Sequence, residues 1–349
     1  MDTITIANRP IGPGHPSFII AELSANHNHD LERAKRIVDA AADAGANAIK
    51  LQTYTADTLT FDSDSPEFRV DGTIWEGKTL YQLYQEASLP WAWHQPLMSH
   101  ARDLGLVAFS TPFDASAVDL LESLDVPAYK IASSELVDIP LIRRVAGLGK
   151  PMIISTGMGT LSEIDEAVHT ARVAGCDQII LLKCTAAYPA PIDEANLATL
   201  PHMAQLFGTV VGLSDHTPGS TAPVAATVLG GRVIEKHLTL SRADGGPDSA
   251  FSMEPQEFAD MVADVRAAEQ AIGQIRYEPT AKETRSRDFR RSLFAIRDIP
   301  AGEAFTPDNL RSIRPATGLH TRHYDALLQS RANTHIKAGT PLSWELVAR

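Results

Sequence analysis

The sequence predicts a closed (β/α)8 barrel, the TIM fold of the α/β class, followed by a small β-rich C-terminal domain. Three observations carry that prediction. Eight short apolar runs of strand character recur between Ser17 and Leu238, a segment of helical periodicity follows each, and the alternation stops near Gly273. Strands that are apolar on nearly every residue suit a sheet covered on both faces, and strand–helix alternation calls for parallel pairing. The open doubly wound alternative needs a glycine-rich phosphate loop after the first strand, and AELSANHNHD contains no glycine.

In chain order the strand runs are Ser17–Ser24, Ala48–Tyr54, Leu106–Pro112, Ala128–Ser133, Met152–Gly157, Gln178–Thr185, Val210–His216 and Arg232–Leu238. Helical periodicity is clear over Asp30–Ala44, Trp93–Leu104, Leu161–Ala174 and Pro255–Ile272, and glycines 45, 105, 149 and 175 stand where helices stop. One connection, Thr55 to Pro90, is unusually long. A loop of that length is functional or carries its own structure, and it lies on the side of the barrel that holds active sites. The barrel is taken as residues 1–277, a charged stretch (EPTAKETRSRDFRR) as a linker at 278–291, and the small domain as 292–349. That domain repeats itself: Ile299/Ile336, Ala301/Ala338, Gly302/Gly339, Phe305/Leu342 and Thr306/Ser343 share one offset, as two strand–turn–strand units would.

The composition is that of a soluble globular protein: 349 residues, 44% hydrophobic, 21% charged, formal net charge −12. No apolar stretch long enough to span a membrane and no basic-then-apolar start are present, so a cytoplasmic protein without a membrane partner is expected. The acidic balance argues against nucleic acid as a partner. Charge is unevenly divided, however: residues 285–349 are net +5 and residues 1–284 net −17. Cys176 and Cys184 match neither a disulfide framework nor a structural zinc site and read as buried small hydrophobes.

In a barrel the polar residues at strand C-termini face the active site. They are Glu22; Lys50 with Gln52; Ser110 with Thr111; Lys130 with Ser133; Ser155 with Thr156; Lys183 with Thr185; Ser214 with Asp215 and His216; and Glu235 with Lys236 and His237. Charged groups at the ends of apolar strands are costly to desolvate unless they bind something, so the ensemble points to a ligand more strongly than any member. Lys50 and Lys130, beside the hydroxyls of Thr111, Ser133, Ser155 and Ser214, suit a phosphate or carboxylate. Taken singly, each lysine reads equally well as a structural ion pair. His216 and His237 end neighbouring strands, and two imidazoles with water or a substrate oxygen make an open site for Mn2+, Fe2+ or Zn2+. Glu22 and Asp248, the latter in GGPDSAFS, are candidates for accepting ligand hydroxyls or moving a proton; Asp248 also reads as a turn residue after Pro247.

The motifs AELSANHNHD, IKLQTYTADTLT, FSTPFD, AYKIASSE, IISTGM, LLKCTAAYPAP, GLSDHT, EKHLTL and GGPDSAFSMEP resemble those of the sialic acid synthase family, which condenses phosphoenolpyruvate (PEP) with N-acetylated sugars. The tail resembles that family's antifreeze-like (SAF) domain. Within the family, DGTIWEGKTLYQLYQEASLPWAWH and FRRSLFAI…SIRPATGLH are most similar to the pseudaminic acid branch, whose acceptor is 2,4-diacetamido-2,4,6-trideoxy-altrose. The resemblance implies that Lys50, Thr111, Lys130, Ser133, Ser155 and Ser214 hold PEP. It implies that His216 and His237 bind a divalent cation, Mn2+ foremost, with Mg2+ or Co2+ as alternatives. Glu22, Gln52, Tyr188 and Asp248 would contact the acceptor, with Glu235 close by. Arg314 matches an arginine that reaches the partner subunit's barrel, which implies a domain-swapped homodimer. The chain departs from N-acetylneuraminate synthases at Ala186, where those carry asparagine, so a backbone or neighbouring group must replace that contact.

The neighbouring readings are an N-acetylneuraminate or legionaminate synthase, a metal-dependent barrel aldolase or isomerase that needs no PEP, and a non-catalytic carbohydrate-binding protein. The last has no need of two lysines, two histidines and Glu22 on one rim.

Overall fold

The computed structural model describes residues 3–348. Each of the eight predicted runs contains one strand: β1 (Phe18–Glu22), β2 (Ala48–Thr53), β3 (Val107–Pro112), β4 (Tyr129–Ile131), β5 (Met152–Ser155), β6 (Ile179–Cys184), β7 (Val210–Asp215) and β8 (Val233–His237). They pair in parallel in sequence order, and β8 closes on β1 with Val233 opposite Phe18 and His237 opposite Glu22. The same register sets Glu22 opposite Lys50 and Gln52 opposite Thr111. Closure removes every sheet edge and sends alternate residues of each strand inward.

Two apolar layers result. Inside the barrel Phe18, Ile20, Ala48, Phe109, Ile153, Leu182, Val210 and Val233 pack with Ile4, Ile6 and Ile11 from an N-terminal hairpin (Ile4–Ile6 with Arg9–Ile11). These are largely the N-terminal ends of the strands, so the hairpin plugs that end and leaves the opposite mouth for chemistry. Between barrel and helices lies the larger core, in which Ile19, Ile49, Leu181 and Ile234 meet residues such as Ile37, Leu97, Ile142 and Phe258. Gly212 admits no side chain: a Cβ there would lie 2.2 Å from the Val233 carbonyl oxygen of the neighbouring strand.

His94 and His27 brace the outside of this frame as neutral imidazoles. His94 sits between the Trp91 carbonyl and Thr53 Oγ1, 2.7 Å away, which in turn meets Ser110 Oγ. His27 Nδ1 accepts from the His29 amide and Nε2 donates to the Ala87 carbonyl at 3.3 Å. Burial holds each at about 4, below its ordinary 6.5. An unfolded chain takes up these protons below 6.5 and the folded chain only near 4, so both histidines stabilise the fold above pH 6.5 and lose that contribution as pH falls. Urea denaturation should show a loss of about 2 kcal/mol apiece by pH 5. His94→Gln should remove one such component from the pH profile; an unaltered pH dependence would refute the assignment.

The first compact unit ends at Gly273, slightly before the boundary at 277 that the sequence suggested, because the last barrel helix, Pro255–Ile272, stops at that glycine (φ 52°). The stretch read as a linker is not structureless. Thr280 and Glu283 cap each other across the start of a short helix, Ala281–Ser286.

The second unit, Gln274–Arg349, pairs Ser292–Ala295 antiparallel with Leu310–Ile313. Its internal echo is a structural two-fold: Ile299 and Ile336 exchange both backbone hydrogen bonds, Gly302 N donates to Ala332 O, and Gly339 N donates to Ala295 O. Ile299, Ile336, Phe305 and Leu342 share its core. Among the described residues no helix is long and apolar enough to cross a membrane.

Candidate active site

Strand parity decides which side chains reach the interior. Val233 and Ala48 belong to the inner layer and Ile234, Ile49 and Leu51 to the outer one. Glu235, His237, Lys50 and Gln52 therefore point inward. The same parity sends four ring candidates outward. Lys236 Nζ pairs with Asp215 Oδ2 at 2.5 Å, Ser110 joins Thr53 and His94, and Lys183 Nζ donates to the Cys184 carbonyl. Thr156 Oγ1 is likewise spent on the Leu182 carbonyl.

The inward charges form one buried array. Lys50 Nζ lies 2.5 Å from Glu22 Oε2 and 3.6 Å from Glu235 Oε1, and donates to Thr111 Oγ1 at 3.1 Å. From across the interior Lys130 Nζ reaches Glu235 Oε1 at 3.4 Å, and Ser214 Oγ donates to the same oxygen at 3.2 Å. The lysines are thus not free cations: each is paired, and the four charges formally cancel. Burial pushes Glu22 above the ordinary carboxylate range despite Lys50. It acts on Glu235 in the same direction, but Lys130 and Lys50 outweigh it and keep that carboxylate low. Lys50 is held above its usual value because Glu22 and Glu235 overcome burial, whereas burial prevails at Lys130 and lowers it.

A second polar group adjoins the array. Gln52 Nε2 donates to Glu22 Oε1 at 3.1 Å and to Ser24 Oγ at 3.0 Å. Ser24 Oγ donates to Asp248 Oδ2, which also accepts from the Ala25 amide at 3.3 Å. Asp248 caps no helix with its side chain, so its carboxylate serves this cluster rather than the turn; burial raises its pKa. On the neighbouring strands Ser133 Oγ accepts from Gly157 N at 3.1 Å, an approach that needs glycine, since a Cβ would lie 2.7 Å from that oxygen. Ser155 Oγ is buried with no partner.

His216 and His237 have ring centroids 5.3 Å apart, with Phe251 edge-on to both. Tyr188 packs 4.4 Å from His216 and 5.7 Å from Trp75. His216 Nδ1 donates to the Thr185 carbonyl at 3.0 Å, which leaves Nε2 to accept. Burial opposes charge on His216, but Cys184 and the Thr185 carbonyl outweigh it and raise its pKa, so a cation at Nε2 competes with a proton. Burial drives His237 far below its ordinary value, and its Nδ1 is buried without a partner. Among the described residues no three His, Cys, Asp or Glu side chains are gathered to hold a metal alone. Two imidazoles, one with an orphaned nitrogen, fit a cation whose remaining ligands come from substrate or water.

Above the array a cavity of about 380 Å³ opens between the 55–90 insertion and the loop after β8; Gln52, Ser24, Asp248, Glu135, Tyr188 and His237 all line it. Arg314 lies in the second unit, exposed, directly after the strand Leu310–Ile313.

A family model for NeuB matches residues 37–277, most of the barrel unit. The chain belongs to the NeuB family. A second model, the SAF domain, matches residues 290–348 of this NeuB chain. A pseudaminic acid synthase of Helicobacter pylori is 45% identical over 96% of this chain and 98% of its own length. An N,N'-diacetyllegionaminic acid synthase of Legionella pneumophila is 36% identical over 97% and 96%. Among solved structures, an N-acetylneuraminic acid synthetase of Leptospira borgpetersenii superposes with TM-score 0.72 at 33% identity, covering 82% of this chain and 95% of that one.

The NeuB site also contains residues that the strand-end reading passed over. Ser24 links Gln52 to Asp248. Cys184, read as a small hydrophobe, places Sγ 3.9 Å from His216 Nδ1. Glu135 lines the cavity with its carboxyl raised to about 7 by burial. Cys184 was legible, being at an inward parity position of β6; Ser24 and Glu135 follow the ends of their strands, where no periodicity signals direction.

Proposed function

We propose that the chain is a pseudaminic acid synthase, condensing PEP with 2,4-diacetamido-2,4,6-trideoxy-L-altrose and water to give pseudaminic acid and phosphate. The observation that carries this reading is the buried Lys50–Glu22–Glu235–Lys130 array under a sugar-sized cavity at the barrel mouth. The branch is supported by the step in identity from 45% to 36% between the two relatives.

In this reading C3 of PEP bonds to C1 of the open-chain aldehyde, whose oxygen takes up a proton. Water adds at C2 and loses a proton, and the tetrahedral carbon expels phosphate by C–O cleavage. Lys50 and Lys130 donate charge-assisted hydrogen bonds to the phosphate and carboxylate, while the hydroxyls of Thr111, Ser133, Ser155 and Ser214 fill the remaining lone pairs. Glu22, Gln52, Tyr188 and Asp248 orient the acceptor. Asp248, whose carboxyl burial favours in the protonated form, is suited to hold a proton beside the aldehyde oxygen. Glu235, kept ionised between two ammonium groups, faces the positive charge that develops at C2. His216 and His237 would hold the divalent cation, Mn2+ foremost, which when bound supplies Lewis acidity at the aldehyde oxygen. Arg314 completes the site from the partner subunit of a domain-swapped homodimer.

Incubation with PEP and this sugar, followed by mass spectrometry and phosphate assay, should give pseudaminic acid and phosphate in equal amounts. Turnover of the legionaminate precursor or N-acetylmannosamine in preference would overturn the branch, and release of no phosphate would overturn the reaction. Protein stripped with EDTA should be inactive and recover with Mn2+. His237→Ala should stay at least about 100-fold below wild type at saturating Mn2+.

A further inference from the structure

The two walls of the mouth cavity differ in chemistry. One comes from strand ends and their loops and carries Ser24, Gln52, Ser134, Glu135, His237 and Asp248. The other is the 55–90 insertion, which contributes Leu59, Val70, Leu80, Leu83 and Ala87. The insertion contains nine charged residues, and among the described residues none of them lines the cavity; its only polar contributions are Thr73, Tyr84 and Trp75. Trp75 Nε1 is already committed to the Pro247 carbonyl at 2.7 Å. Tyr54 and Phe113, edge to face at 5.0 Å, extend the apolar wall toward the barrel.

This wall is held in place. His27 and His29 donate from Nε2 to the Ala87 and Gln85 carbonyls, at the end of the helix Leu80–Ala87, whose start is fixed by a Thr79–Gln82 capping box. Val70 N donates to Lys78 O at 2.9 Å and Gly77 N to Val70 O at 3.2 Å, folding the tip back on itself. Val70 and Leu83 are buried. A wall so anchored selects by its shape and polarity, without first having to order.

We propose that Val70, Leu83 and Leu59 determine acceptor specificity, selecting sugars whose carbon farthest from the aldehyde is a methyl group rather than a hydroxymethyl group. The inference rests on the synthase reading above. The reacting aldehyde must meet the strand-end array, and the far end of a six-carbon chain then falls toward the insertion. A methyl group there gains apolar contact. A hydroxyl packed against Leu59, Val70 and Leu83 loses water and finds no donor or acceptor on those three side chains, and an unpaired buried hydroxyl is what such a site rejects most effectively.

The test compares 2,4-diacetamido-2,4,6-trideoxy-L-altrose with its 6-hydroxy counterpart. The wild-type enzyme should prefer the deoxy sugar by about 10- to 100-fold in kcat/KM. Val70→Thr, which keeps the shape and adds a hydroxyl, should narrow that ratio at least about fivefold, chiefly through KM, with the KM for PEP unchanged. Leu83→Met should keep the ratio. Equal turnover of both sugars by wild type would overturn the proposal and leave the synthase reading standing, whereas no turnover of either would strike at the reading itself. A ratio that Val70→Thr leaves intact in a folded enzyme would also overturn it.

Discussion

Lys130→Ala is expected to lower kcat/KM for PEP by about 30- to 3,000-fold while leaving the barrel folded. Two penalties combine. The variant removes one of the two ammonium groups proposed to donate to the substrate anion, in a setting where Lys130 is almost wholly buried. It also leaves Glu235, which Lys130 approaches at 3.4 Å, with Lys50 at 3.6 Å as its one nearby ammonium beside the neutral Ser214 hydroxyl, so an entering anion meets an under-compensated carboxylate. Removing one partner of a buried, hydrogen-bonded charge pair costs about 2–5 kcal/mol, and each 1.4 kcal/mol is a factor of ten. Lys130→Arg should not restore the rate, because a planar five-donor fork does not replace a compact ammonium between Glu235 and a phosphate. Initial rates of phosphate release at varied PEP, with circular dichroism as a folding control, give the comparison. A loss below tenfold would remove Lys130 from PEP binding.

The array that makes Lys130 sensitive was only partly legible in the sequence. The eight strands and their order were, because each is a short run apolar on both faces and a closed parallel barrel fixes which run neighbours which. The inward direction of Glu22, Lys50, Ser155 and Glu235 was legible in principle from period-two spacing: Val233, Glu235 and His237 alternate with Ile234 and Lys236. Reading the strand ends as one ring ignored that alternation, and so admitted Ser110, Lys183, Asp215 and Lys236. What no local pattern contains is the partner across the interior. Lys130 and Glu235 are 105 residues apart and on non-adjacent strands, and only closure of the barrel brings them together. Hence two lysines that read as waiting cations are instead balanced by two glutamates. The fold of the 55–90 insertion was hidden for a similar reason: its anchors, His27, His29 and the Pro247 carbonyl, come from two other strand–helix loops.

The outward pair supplies the opposite experiment. Lys236 sits one residue from Glu235 and one from His237, yet parity turns it away from the cavity, where it meets Asp215 Oδ2 at 2.5 Å and the Thr217 carbonyl. Both side chains are about as buried as those of the array. Lys236→Met should therefore cost stability rather than catalysis: about 3–5 kcal/mol in urea denaturation, since Asp215 is left charged and buried with only the Thr217 amide as a donor, at 3.0 Å. At temperatures where the variant remains folded, kcat/KM for PEP should stay within about threefold of wild type. Replacing both partners, Lys236→Met with Asp215→Leu, should recover much of the loss, because an apolar pair of similar volume no longer strands a charge. A large fall in kcat/KM with little change in stability would mean that Lys236 belongs to the active-site array after all. Lys130 and Lys236 are both buried lysines at strand ends, each with a carboxylate partner; what separates the cation proposed to bind PEP from the structural one is the face of the strand on which it falls.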